Sequence, residues 1–199
     1  MTGQLTLFVV DNDAQSRRSL AALAAAHEIA CDEFNSAEEF LAELKEPCAG
    51  CVIAELQLPG MGGIELLEQL RAAGSSLPLV IYSAHADIPL TVRAMRSGAL
   101  TLLEKPSDEV HLWATIARAL ADEELRSERD MRRADTLRRM ALLTEQEQRV
   151  MQLVVEGKLN KVIARTLDVS TRTVERDRAS LMKKLAVESV AQLVERVVD

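Results

Sequence analysis

Four short apolar runs, each stopping at a polar residue, constrain this chain more than any other feature. Leu5-Thr-Leu-Phe-Val-Val10 stops at Asp11-Asn12-Asp13, Cys51-Val-Ile-Ala54 at Glu55, Leu79-Val-Ile-Tyr82 at Ser83, and Leu100-Thr-Leu-Leu103 at Glu104-Lys105-Pro106. Short apolar runs bounded by turn residues read as buried strands, and strands separated by helical segments lie parallel. In an open parallel sheet the carboxyl ends of the strands share one edge, where such folds carry their sites. The acids, the hydroxyl and the lysine are therefore expected to gather there. Glu55, a carboxylate closing a buried strand, is the one most in need of a partner.

The segments between the runs are helical. Residues 17–26 are rich in Ala and Leu, and Ser36-Ala-Glu-Glu39 forms a capping box that starts a helix running to Leu44. Residues 62–73 carry Ile64, Leu67 and Leu70 at helical spacing before Gly74, and residues 88–97 end at Gly98. This predicts a five-stranded, flavodoxin-like α/β sheet over roughly the first 120 residues. From Glu109 the helical pattern meets no Gly or Pro before Gly157, too long for one helix of a compact domain, so part of it is a connector. Residues 122–141 are dense in both charge signs, with sparse apolar positions at Leu125, Met131, Leu137 and Met140. They read as a solvated linker helix, and a paired connector would need a more regular heptad. Four short helices are expected after Leu143. Thr144-Glu-Gln-Glu147 caps the first and Gly157 ends it; Asn160 caps the second; Ser170 caps the third, which runs to Leu185; Ser189-Val-Ala-Gln192 precedes the last. Only Asp168-Val169 separates the second from the third, the tight junction of a helix-turn-helix.

With 199 residues, 48% of them apolar, the chain is long enough for two modest domains. No apolar run approaches the roughly 20 residues that span a membrane, and no leader pattern opens the chain, so a cytoplasmic protein is expected. The net charge of -7 divides unevenly: residues 1–125 hold 8 basic and 19 acidic side chains, and residues 126–199 hold 16 and 12. Only the second half is suited to a polyanion. Cys48-Ala-Gly-Cys51 is a lone C-x-x-C without a second pair or a His at ligand spacing, so plain packing is expected over a redox pair or half a metal site.

The first half resembles a response-regulator receiver domain, and residues 144–185 resemble the LuxR-type helix-turn-helix of NarL/FixJ regulators. The second likeness rests on Leu143-Thr-Glu-Gln-Glu147, Gly157, Asn160-Lys161, Ile163-Ala164, Leu167, Ser170, Thr173-Val174-Glu175 and Lys184-Leu185. It implies a receiver at 1–121, a linker at 122–141 and a DNA-binding domain at 142–199. In such receivers an aspartate after the third strand takes a phosphoryl group, an acidic pair after the first holds magnesium, and a Thr or Ser and a Lys sense the phosphate. Asp11, Ser83 and Lys105 match. Glu55 stands at the acceptor position and Asn12 at that of the second acid, which weakens a transfer that depends on positioning and on charge neutralisation by the metal. Phosphorylation here is therefore not expected, and at most weak magnesium binding at Asp11, Asp13 and Glu55. Glu55 then either imitates the phosphorylated state or forms a structural salt bridge with Lys105; Leu102, where relatives carry an aromatic residue, favours the bridge.

In the second half the third helix is expected in the major groove. Arg176 is the candidate for base reading, since arginine grips guanine through two hydrogen bonds. Lys161, Thr171, Arg172, Thr173 and Lys183 suit phosphates, with Arg178 beside them. Glu175 either accepts from a cytosine amino group or pairs with Arg172 or Arg178. Asp177, where many relatives carry His, needs compensation by Arg178 or Lys161. One such helix reads few base pairs, so a homodimer on double-stranded DNA is implied, through Val190, Leu193, Val194 and Val197 unless that stripe merely closes the domain core. The expected function is a transcription regulator, not an enzyme and without a cofactor, that acts independently of aspartyl phosphorylation. A sensor kinase or another protein at the receiver is a further expected partner. Switching by a partner, a ligand or the Cys48/Cys51 redox state, or sequestration of a partner through the receiver, are the alternatives.

Overall fold

The computed structural model describes residues 5–45 and 48–198. The chain forms two compact units, Met1–Glu128 and Arg129–Asp199. The first alternates strands and helices: β1 (Thr6–Val10), α1 (Ala14–Ala26), β2 (Ala30–Phe34), α2 (Ala37–Glu43), β3 (Gly50–Ala54), α3 (Gly63–Ala72), β4 (Leu79–Ser83), α4 (Ile88–Arg96), β5 (Thr101–Glu104) and the start of α5 (Glu109–Met140). All pairings are parallel, in the order β2-β1-β3-β4-β5.

Side chains alternate across this sheet with period two. Phe8, Val10, Val52, Ala54, Leu79 and Ile81 pack with Phe40 of α2, Leu66, Leu67 and Leu70 of α3, and Ala94 of α4. Leu7, Val9, Cys51, Ile53 and Val80 pack on the other face with Leu20 and Leu23 of α1 and Ile116 and Leu120 of α5. Cys48 packs with the first cluster and Cys51 lies in the second, so the C-x-x-C thiols serve opposite faces of the sheet. Burial pushes the Cys51 thiol up to about 12, the opposite of a reactive thiolate.

The element limits differ from expectation where capping decides. Helix α1 starts at Ala14 because the Asp13 carboxylate accepts from Gln15 N and Ser16 N, both at 3.1 Å. Strand β2 showed no apolar run because it is an edge strand, paired only with β1 and exposing Asp32 and Glu33. The Ser36 box is shifted: Ser36 Oγ accepts from Glu39 N, but Glu39 reaches back to Asn35 N at 2.7 Å.

The long helical pattern is one helix as far as Met140, and the boundary between the two units falls inside it. The second unit continues with α6 (Glu145–Val155), α7 (Asn160–Leu167), α8 (Thr171–Lys184) and α9 (Val190–Val198). Its core is built from Val150, Val154, Ile163, Val174, Leu181, Leu185 and Leu193. Thr144 closes a full capping box with Glu147. Asn160 is not a cap: the capping position of α7 is Leu159, with no side-chain bond, and Asn160 is its first residue. Between α7 and α8 the turn closes on Asp168 in the left-handed region, φ 53. On α9, Leu193 is fully buried, and Val190 and Val197 pack against the same core while Val194 is half-buried. Three of the four residues expected at a dimer contact thus serve the domain core, Val194 is not among them, and Leu193 is unavailable to a partner.

Candidate functional site

In the first unit the site forms where the strand order predicts. Val10 and Ala54 are register partners on adjacent strands, so Asp11 and Glu55 emerge side by side, 3% and 8% exposed. Lys105, just past β5, donates from Nζ to Asp11 Oδ2 at 2.6 Å and to Glu55 Oε2 at 2.8 Å. Burial pushes the Lys105 ammonium down, but its bonds to Asp11 and Glu55 and their charges carry it above its usual range. The Tyr82 ring lies 5.1 Å from Nζ, a cation–π contact. Both carboxylates have further donors, Ser16 on the same Asp11 Oδ2 as Lys105 and Asp13 N on Oδ1. Glu55 Oε1 accepts from Leu56 N at 2.7 Å and Gln57 N at 3.2 Å, while Asp11 accepts from Ser16 Oγ at 2.6 Å and from Asp13 N at 2.8 Å.

Two packing details fix Glu55. A Cβ on Gly63 would stand 2.4 Å from the Glu55 carbonyl oxygen, so only glycine lets α3 start this close to the strand end. Met61 N donates to Glu38 Oε1 at 2.8 Å, pinning the intervening turn to α2. Ser83 is fully buried beside the pocket, but its hydroxyl accepts from His85 N at 3.1 Å. Asn12 is exposed. The structure thus brings Asp11, Glu55 and Lys105 together and leaves Ser83 and Asn12 outside that contact. Ser16 and Tyr82 were missed; Ser16 sits five residues past Asp11 on a helix whose early start was not foreseen.

The magnesium that the likeness implies would need a near-octahedral shell of oxygens. Asp11 and Glu55 each give an oxygen to Lys105, and both Asp13 oxygens accept α1 amides. Among the described residues no group of three or more His, Cys, Asp or Glu side chains is placed to hold a metal ion. The residues present do not fit the ion, and the weak site expected at Asp11, Asp13 and Glu55 is not formed.

In the second unit, α8 divides into two faces. Thr171, Arg172, Glu175, Arg176, Ala179 and Lys183 are exposed at helical spacing, while Val174, Asp177 and Leu181 are buried. Lys161 is exposed on α7, and Thr173 is half-buried with its hydroxyl 2.9 Å from that of Ser170. Glu175 makes no ion pair among the described residues. Arg178 lies off the exposed stripe and donates from Nη1 to Asn160 Oδ1 at 2.7 Å. Asp177 is compensated by neither Arg178 nor Lys161. It is 7% exposed, and its carboxylate accepts from Gln146 Nε2 at 2.5 Å and from Arg176 Nε and Nη2 at 3.2 and 3.1 Å. Behind α8, Glu147 accepts from Thr144 N at 2.8 Å, Ser180 Oγ at 2.6 Å and Lys184 Nζ at 2.6 Å. Burial works against its charge, yet these donors hold it down at about 2.

Residues 7–117 match the family model "Response regulator receiver domain", and residues 141–197 match "Bacterial regulatory proteins, luxR family". The chain belongs to the NarL/FixJ-type response regulators, transcription regulators that join a receiver to a LuxR-type helix-turn-helix. It is 37% identical to the transcriptional regulatory protein FixJ of Bradyrhizobium diazoefficiens over 98% of this chain and 95% of that one. Against the response regulator protein TodT of Pseudomonas putida it is 31% identical, over 94% and 83% of the two chains. Among solved structures it is similar to the response regulator StyR, with a TM-score of 0.90 at 37% identity over 98% and 99% of the chains. Full-length FixJ from B. japonicum matches with a TM-score of 0.59 at 36% identity, over 99% and 97%. No helix among the described residues is long and apolar enough to cross a membrane.

Proposed function

We propose that this regulator binds DNA through α8 without phosphoryl transfer to residue 55. The observation that carries this reading is the occupancy of the Glu55 carboxylate. One oxygen is held by two backbone amides and the other by Lys105, which also spans to Asp11. A nucleophilic oxygen needs an open line to the phosphorus and cations to neutralise the transferred group. At Glu55 the lysine that would meet a phosphoryl oxygen is already paired with the acceptor itself.

Within this reading the ion pair is structural and not an imitation of the phosphorylated state. Imitation would draw the Ser83 hydroxyl to the Glu55 carboxylate, whose partners among the described residues are Leu56 N, Gln57 N and Lys105 Nζ. Arg176 reads a base edge; Lys161, Thr171, Arg172, Thr173 and Lys183 meet phosphates; and Glu175, free of an ion pair, is available to a cytosine amino group. Arg178, tied to Asn160, supports α7 and leaves the phosphates to the others. Its receiver is residues 1–121, its linker 122–141 and its DNA-binding domain 142–199. The protein acts in the cytoplasm, as a homodimer on double-stranded DNA, with a kinase or other protein at its receiver.

The test is DNA binding of the untreated full chain to a genomic fragment pool, beside a Glu55→Asp variant, each with and without acetyl phosphate and magnesium. Specific sites bound by the untreated chain and unchanged by the phosphoryl donor are the expected result. Binding that appears only with the donor would overturn the proposal.

A further inference from the structure

Side chains of adjacent helical residues do not face each other, yet the guanidinium of Arg176 is folded back onto the carboxylate of Asp177, through Nε at 3.2 Å and Nη2 at 3.1 Å to the same oxygen. The second oxygen of Asp177 is taken by Gln146 Nε2 of α6, at 2.5 Å. The Asp177 side chain is 10% exposed and that of Arg176 74%. Asp177 is thus fixed from behind by another helix and grips, at the surface, the base of the arginine fork. Two of the five guanidinium N–H groups are used, which leaves enough for the two bonds that guanine O6 and N7 accept.

We propose that Asp177 is a positioning residue for sequence readout: anchored by Gln146, it holds Arg176 in one orientation on the exposed face of α8, so that the arginine meets the base edge already ordered. This rests on the reading of Arg176 as the base-contacting residue. An arginine free to swing would meet phosphates as readily as a base edge, and phosphate contacts carry no sequence information. The clamp therefore acts on specificity more than on affinity. Loss of the carboxylate also removes an acid from the side that meets DNA, so binding to unrelated sequence holds or rises.

The experiment selects sites from a randomised duplex pool with the full chain, then titrates the selected site and its single-base variants with wild type, Arg176→Ala, Asp177→Ala, Asp177→Asn and Gln146→Ala. Arg176→Ala is expected to lose its preference at one base pair by about tenfold, within the range of a good two-bond contact. Asp177→Ala is expected to flatten the same base pair to a similar degree, with affinity for unrelated DNA equal to or above wild type, and Gln146→Ala to flatten it less. Should Asp177→Ala fail to fold, Asp177→Asn, which keeps the shape and removes the charge, decides by the same readout. If Arg176→Ala loses the preference while the Asp177 variants retain or sharpen it, Asp177 does not position Arg176 and the inference falls alone. If Arg176→Ala retains the preference, the base-reading assignment falls and takes the inference with it.

Discussion

Replacing Lys105 with methionine keeps most of the stem and removes the ammonium between two buried carboxylates. Breaking a buried ion pair by deleting one partner costs about 3–5 kcal/mol. The Lys105 side chain is 17% exposed, so water softens the loss and the lower end, about 3 kcal/mol, is expected. For a unit of this size that lowers the melting midpoint by about 10 °C. The assay is the fluorescence of Trp113, the single tryptophan, which lies in α5 and stacks on the His27 ring at 3.8 Å, so it reports this unit. A Lys105→Met, Glu55→Leu double variant should recover part of the loss, since one stranded carboxylate is gone and Asp11 keeps Ser16 and the Asp13 amide. The pH dependence has a definite sign. The folded Lys105 titrates above its ordinary 10.5, so its contribution is fully present below that value and is lost as pH rises through the higher folded one. The gap between wild type and Lys105→Met should therefore close on the alkaline side. A loss under about 1 kcal/mol, the worth of an exposed pair, would refute the claim that this bridge holds the pocket.

Three further outcomes are expected. Glu147→Gln should destabilise the second unit by about 2 kcal/mol, since bonds to a charged acceptor are lost; because the folded carboxyl lies at about 2 against an ordinary 4.5, the wild-type contribution is present above 4.5 and fades as pH falls toward 2, which acid unfolding followed by circular dichroism checks. Gly63→Ala should cost about 1–3 kcal/mol through the clash with the Glu55 carbonyl, read by Trp113 melting, and a neutral result would contradict the close approach. Cys48→Ser should leave DNA affinity the same under oxidant and reductant, as for wild type, because Cys48 and Cys51 pack on opposite faces; an oxidant response abolished by this variant would restore the redox reading.

What was legible in the sequence follows from what decides each contact. Caps and strand periodicity depend on residues within about four positions of one another, so Thr144, Ser170 and the four apolar runs were readable. Strand β2 was not, because an edge strand with Asp32 and Glu33 outward lacks the apolar signature. Lys105 and Asp11 are 94 residues apart and were still placed together, since a parallel sheet forces every strand's carboxyl end to one edge. In the helical unit nothing comparable acts. Gln146 and Asp177 are 31 residues apart and Arg178 and Asn160 18, and each pairing depends on how far a helix is rotated about its axis. That rotation is set by the whole core, so Asp177 was assigned the wrong compensating partners. The same holds for α9, whose apolar stripe serves a partner or its own core equally well as a pattern, and only the burial of Leu193 in the core of the second unit separates the two. Distant pairings are thus readable where topology compels them, and where helix rotation chooses them they must be measured.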